Sequence, residues 1–95
     1  MVIATTKLSA IPYGQATVNR HDDGTIVLVS YSTPVAYIEA DGWLFIRGLY
    51  SATTRKHIGA FVREYAHIEY QTAKRIYEDG YGYNIYTGEV ARWGV

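Results

Sequence analysis

An α+β fold is predicted by three observations. Two Asp-Gly turns separate short β-branched and aromatic runs. The apolar period switches from two to about 3.6 after residue 50. Apolar residues make up 48% of the chain, enough to fill a core without covalent staples. The expected architecture is an antiparallel meander sheet of three to four strands. It packs against one long or two consecutive C-terminal helices, and a tyrosine-rich tail follows. At 95 residues the chain is expected to be one domain. Its parts are an N-terminal segment (1–14), a β meander (15–48), a helical region (51–79) and a Tyr/Gly-rich tail (80–95).

Residues 1–14 show no clear period, and Pro12 with Gly14 places a turn before residue 15. Gln15 to His21 reads as a short strand. Asp23-Gly24 is a strong hairpin signal, because these residues tolerate the positive φ that tight hairpin turns require. Ile26 to Val29 is apolar on both faces, as in a central strand. Ser30 to Pro34 interrupts it. Proline has no N–H for the ladder, so a bulge, an edge or a turn is expected there. Val35 to Ile38 resumes the extended pattern. Asp41-Gly42 forms the second turn, Trp43 to Arg47 the next strand, and Gly48 its end.

Ser51 suits the helix N-cap, with Thr53 and Thr54 as further capping hydroxyls. Ile58, Phe61, Val62 and Tyr65 follow at i, i+3, i+4 and i+7, one apolar stripe. Ile68, Thr72, Ala73 and Ile76 continue it, and Asp79-Gly80 is a stop. A single helix places Glu69 within that stripe, where a bare carboxylate is unfavourable. It also carries Gly59, at about 1 kcal/mol relative to alanine. A break near Ala66 to Ile68 removes the first difficulty, so one helix and two helices both stay open. Residues 81–86 form a final strand with Tyr81, Tyr83 and Ile85 on one face, or wrap the domain as an ordered loop.

Composition narrows the chemistry. The chain has no cysteine, which excludes disulfides, thiolate zinc sites and cysteine nucleophiles. The start lacks the charged and apolar regions of a signal peptide. No apolar run approaches the roughly 20 residues of a membrane span. A cytoplasmic protein without membrane contact is therefore expected. Formal net charge is zero, which argues against general coating of nucleic acid. Residues 51–77 nevertheless hold Arg55, Lys56, Arg63, Lys74 and Arg75 against Glu64 and Glu69, a local +3. Ten residues are tyrosine, a side chain whose rigid ring and polar tip suit interfaces.

The runs Ser30-Tyr31-Ser32-Thr33-Pro34-Val35-Ala36 and Tyr50-Ser51-Ala52-Thr53-Thr54-Arg55-Lys56-His57-Ile58 carry a resemblance. Tyr31, Thr33, Val35, Ala36, Tyr50, Ser51, Thr53, Thr54 and His57 match its pattern of a Tyr-x-Thr-x-Val-Ala strand and a Tyr-Ser-x-Thr-Thr-x-x-His helix start. In these residues the chain resembles a group of small phage and prophage proteins carrying a domain of unknown function. The resemblance spans residues 25–65. It implies a viral or prophage origin and no particular activity.

Each motif has a plain structural reading beside its functional one. Ser51, Thr53 and Thr54 with Arg55 and Lys56 suit an anion at a helix start, but also ordinary capping, which the absence of a glycine-rich loop favours. His57, Glu64 and His67 adjoin on one helix flank, yet a single Glu-x-x-His spacing is a weak metal signal, and no metal or other cofactor is expected. On one continuous helix Lys56, Arg63, His67, Tyr70 and Lys74 form a basic stripe opposite Ile58, Val62 and Ile76. That stripe, with Tyr81, Tyr83 and Tyr86 of the tail, is the candidate partner-binding surface; the plain alternative is a solvated helix face. No serine sits in a nucleophile elbow and no acid/base pair stands out, so an enzyme is not expected.

The expected function is a small interaction protein that occupies a host protein, as phage inhibitors of host defence do, CRISPR inhibitors among them. The alternative is a nucleic-acid-binding accessory protein. It would use Lys56, Arg63 and Lys74 on phosphates and Tyr70 for stacking. A monomer or homodimer is expected. A third reading has a self-assembling component pairing through an apolar edge near Ser30 to Ile38.

Overall fold

The computed structural model describes residues 1–92; the last three residues of the tail lie outside the described residues. The chain runs β1 (Val2–Lys7), β2 (Ala16–His21), β3 (Ile26–Ser30), β4 (Thr33–Ile38), β5 (Trp43–Ile46), α1 (Ala52–Tyr65), α2 (Tyr70–Glu78), β6 (Tyr81–Asn84) and β7 (Val90–Arg92). The strands form one antiparallel sheet of seven in chain order. The α1–α2 pair is inserted between β5 and β6, which nevertheless pair with each other.

The class is α+β, as the periodicity indicates, but the sheet has seven strands rather than three or four. The additions are the two edges. All six residues of β1 are exposed, so the strand has no apolar alternation to announce it. A bulge between Val2 and Ala4 breaks its regularity, a common device at sheet edges. In the tail, β6 and β7 form a hairpin and replace the wrapping loop. Asn84 organises their turn: its Oδ1 accepts from the Tyr86 and Thr87 amides at 2.9 and 3.1 Å. Its Nδ2 donates to the Asp41 carbonyl at 3.1 Å.

Both Asp-Gly turns form, with Gly24 at φ +93° and Gly42 at φ +99°. Pro34 marks a bulge. Leu28 pairs with Ala36 and Val29 with Pro34, leaving Val35 between them. Residues 30–38 are no edge: β4 is flanked by β3 and β5, which removes the self-assembly reading built on that segment.

One face of the sheet meets the helices. Ala16, Val18, Leu28, Ile38, Leu44 and Ile46 are buried there together with Ile58, Phe61 and Val62 of α1 and Ala73 of α2. Burying apolar side chains of this size contributes about 1.5–3 kcal/mol each, so this layer dominates the fold.

The helical region is two helices. Ala66 caps α1, His67 adopts a left-handed φ of 58°, and the Ile68 amide donates to the Val62 carbonyl at 3.3 Å. The physical reason is visible at Glu69. Breaking the helix takes its carboxylate out of the apolar stripe and into solvent, where it pairs with Arg63. Gly59 has its reason here too. A Cβ at that position would lie 3.3 Å from the Tyr70 Cβ, so glycine allows the start of α2 to close on α1. Among the described residues no helix is long and apolar enough to cross a membrane.

Candidate functional site

Two polar clusters lie on opposite sides of α1. The outer one begins with helix spacing. Arg55, Gly59 and Arg63 stand at i, i+4 and i+8, with Lys56 and Ala60 in the neighbouring row, so cations border a strip of two small residues. The loop of residues 8–15 runs beside this strip. Leu8 anchors it in the core, the Ser9 amide donates to Glu64 Oε1 at 2.8 Å, and Lys7 Nζ donates to the Gly14 carbonyl at 3.1 Å. Tyr70, first residue of α2, closes the other side over Gly59.

The result is a groove of about 380 Å3 lined by Ala10, Ile11, Arg55, Lys56, Gly59, Ala60, Arg63 and Tyr70. That volume lies within the usual range of ligand sites. Its floor is apolar and its rim carries three cations. Arg63 Nη2 meets Glu69 Oε2 at 3.3 Å, with both side chains mostly in solvent. Arg55 and Lys56 have no ion-pair partner among the described residues. The Tyr70 hydroxyl is buried and has no hydrogen-bond partner among them either. Native proteins rarely leave such an atom unpaired.

The inner cluster is complete by contrast. Ser51 caps α1, its Oγ accepting from the Thr54 amide at 3.2 Å. Thr54 Oγ1 lies 3.0 Å from Ser30 Oγ, which lies 2.8 Å from His57 Nδ1. Ser30, Thr54 and His57 are all buried. Burial pushes the His57 pKa below the ordinary histidine value, because a low-dielectric site disfavours the imidazolium. A serine on a histidine is the beginning of an acyl-transfer site. Here Ser30 is 2% exposed, so its hydroxyl is out of reach and the pair serves packing and register.

The structure brings Lys56, Arg63 and Tyr70 of the expected stripe to one groove, across two helices and not along one, and the helix break splits off the rest. His67 sits exposed in the break and Lys74 lies on α2 outside the groove. The tail tyrosines are elsewhere. Tyr81 faces Ala73, Ile76 and Tyr77 across a small cleft, Tyr83 packs on the core, and the Tyr86 ring lies against Gly42. Ser51 is the cap, while Thr53 is exposed and Thr54 belongs to the buried cluster. The flank of His57, Glu64 and His67 is dispersed: His57 faces Ser30, Glu64 holds Ser9, and His67 faces solvent.

Arg55, Ala10, Ile11, Gly59 and Ala60 complete the groove without having stood out as partner-binding candidates. The signal for the last two was present. A glycine and an alanine between cations at i±4 mark a place where another segment approaches a helix closely.

A family model described as "Family of unknown function (DUF8033)" matches residues 3–79, which includes every groove residue. No curated protein and no solved structure matches the chain.

Proposed function

The chain belongs to the family of unknown function DUF8033, and we propose that this protein is a binding protein without catalytic activity. It takes a segment of a partner protein into the groove between α1, α2 and the loop of residues 8–15. The observation that carries this reading is the groove's construction: an apolar floor, three rim cations and the Tyr70 side chain closing one side over Gly59. Tyrosine and arginine are the residues most often found as energetic anchors of interfaces.

A protein partner fits better than nucleic acid. The whole chain is formally neutral and three cations make a small phosphate footprint. The resemblance to phage and prophage proteins extends the reading to a host protein as the target. Inhibition of host defence, CRISPR systems included, is then the expected consequence of occupying it.

The test compares the wild-type protein with the Arg55→Glu/Lys56→Glu/Arg63→Glu variant as baits in a bacterial lysate, followed by reconstitution with the purified partner. A partner that binds the wild type and loses at least about ten-fold affinity for the variant supports the proposal. A partner held equally by both refutes it. Nucleic acid retained at about 50 mM salt and stripped at moderate salt would transfer the groove to phosphate binding instead.

A further inference from the structure

Outside the groove, three tyrosines that sequence reasoning did not single out for binding are strongly exposed: Tyr13 at 97%, Tyr31 at 57% and Tyr50 at 58%. They gather at one corner. The Tyr31 amide donates to the Gln15 carbonyl at 2.7 Å, and the Tyr31 ring lies 5.9 Å from that of His57. Gly14, next to Tyr13, approaches the same His57 ring, with His57 Nε2 3.7 Å from where its Cβ would stand. Tyr50 precedes Ser51, which reaches Ser30, the neighbour of Tyr31, through Thr54.

Two of the three sit on unusual backbone. Tyr31 has φ 58° and Tyr50 φ 41°, a left-handed region that is unfavourable for a bulky residue. The buried cluster holds both in place, since Ser30 and Ser51 are tied down on its two sides. Glycine or asparagine would adopt the same backbone with less strain. The turn alone therefore does not account for tyrosine at these positions. Backbone strain of this kind collects at functional sites. Each ring is also steadied on one side, Tyr31 by His57 and Tyr50 by Gly48. Rings fixed before binding lose little entropy on contact.

Around the three tyrosines the charge has one sign, and the two carboxylates that reach the groove walls, Glu64 and Glu69, are taken up by the Ser9 amide and by Arg63. Residues 1–21, 24–38 and 42–63 contain no Asp or Glu, and these stretches supply the corner and three of its cations, Lys7, Arg55 and Lys56. Asp22, Asp23, Glu39, Asp41 and Glu89 occupy turns at the opposite end of the sheet.

We propose that Tyr13, Tyr31 and Tyr50 form an aromatic extension of the groove, and that the two together bind one extended acidic peptide segment of a protein partner. The segment's carboxylates meet Arg55 and Lys56 while its apolar side chains lie on the tyrosine rings. This extension rests on the groove reading but fails separately from it.

The probe is a random peptide library selected on the immobilised full chain, with affinities of the enriched peptides measured by fluorescence anisotropy. Enriched sequences combining Asp or Glu with apolar residues are expected. The Tyr31→Asn/Tyr50→Asn variant keeps the left-handed backbone and is expected to lose about ten-fold affinity or more. Tyr13→Ser, at a ring with no packing role, is expected to lose a few-fold with an unchanged melting temperature. Unchanged affinity in both variants with loss in Arg63→Glu overturns the extension and leaves the groove standing. Unchanged affinity in all three overturns both. A library that returns no peptides, or peptides without acidic residues, overturns the extension, as does an oligothymidylate strand that displaces the peptides at low salt.

Discussion

On its inner side α1 turns Thr54 and His57 toward the sheet, where Ser30 and Ser51 answer their polar atoms within 3.2 Å. On its outer side it turns Arg55, Lys56 and Arg63 around a groove where Arg55 and Lys56 have no ion-pair partner among the described residues. Both clusters belong to one 14-residue helix, and both contain residues that a motif search would flag. They differ in whether the chain satisfies its own polar groups. A cluster closed on itself specifies architecture, because each partner is already used. A cluster that leaves cations unpaired keeps its interactions for something outside the chain. The serine–histidine pair, chemically the more suggestive, is thus the structural one.

The largest effect that tests this division is expected at His57. His57→Ala removes a buried ring and the acceptor or donor facing Ser30 Oγ, and should destabilise the fold by about 2–4 kcal/mol in denaturant titrations. A loss below about 1 kcal/mol would mean that the inner cluster is not a structural unit, and the contrast with the groove would collapse.

Acid should act through the same residue with a smaller effect. Burial holds the His57 pKa below its unfolded value of 6.5, so the unfolded chain binds the proton first as pH falls. Stability from this group is complete above the unfolded pKa. It declines below it until pH has passed through the lower folded value, by at most about 1.4 kcal/mol per pH unit for one proton. Asp23 also has a lowered pKa, through hydrogen bonds from Thr25, and its contribution is lost in the lower carboxylate window. Equilibrium unfolding between mildly acidic and neutral pH should therefore slope in the wild type and flatten in His57→Gln. Equal slopes in the two proteins would place the titrating group elsewhere.

How much of this was legible follows from what each residue advertises. The stripe of Ile58, Phe61 and Val62 announces α1 and its buried face, and the two Asp-Gly turns announce the central hairpins, since both signals are local. The edge strands were hidden because β1 buries none of its six residues and so shows no period. His57 looked like a flank residue because helical projection places it beside Glu64. Its burial depends on Ser30, 27 residues away in sequence, and on Gly14 beside it. The groove was half legible for the same reason. Lys56 and Arg63 share a helix face, but Ala10 and Ile11 reach it through a loop with no pattern of its own. Tyr70 arrives there because the helix breaks at Ala66 to Glu69.

The smallest expected effect is the most discriminating, and it concerns one oxygen. Tyr70→Phe keeps the ring that packs on Gly59 and removes the buried hydroxyl. If that hydroxyl served the fold through a hydrogen bond, its loss would destabilise by about 1 kcal/mol, as for an ordinary satisfied hydroxyl. Without a partner it gains nothing to offset its desolvation, so the phenylalanine variant is expected to equal the wild type or exceed it by about 1 kcal/mol. If ligand binding turns that buried hydroxyl into the groove, affinity should move the opposite way, falling several-fold. A variant that gains stability while losing binding has given up a group kept for recognition. One that loses stability would place Tyr70 in the closed class with His57 and reduce the groove to its cations.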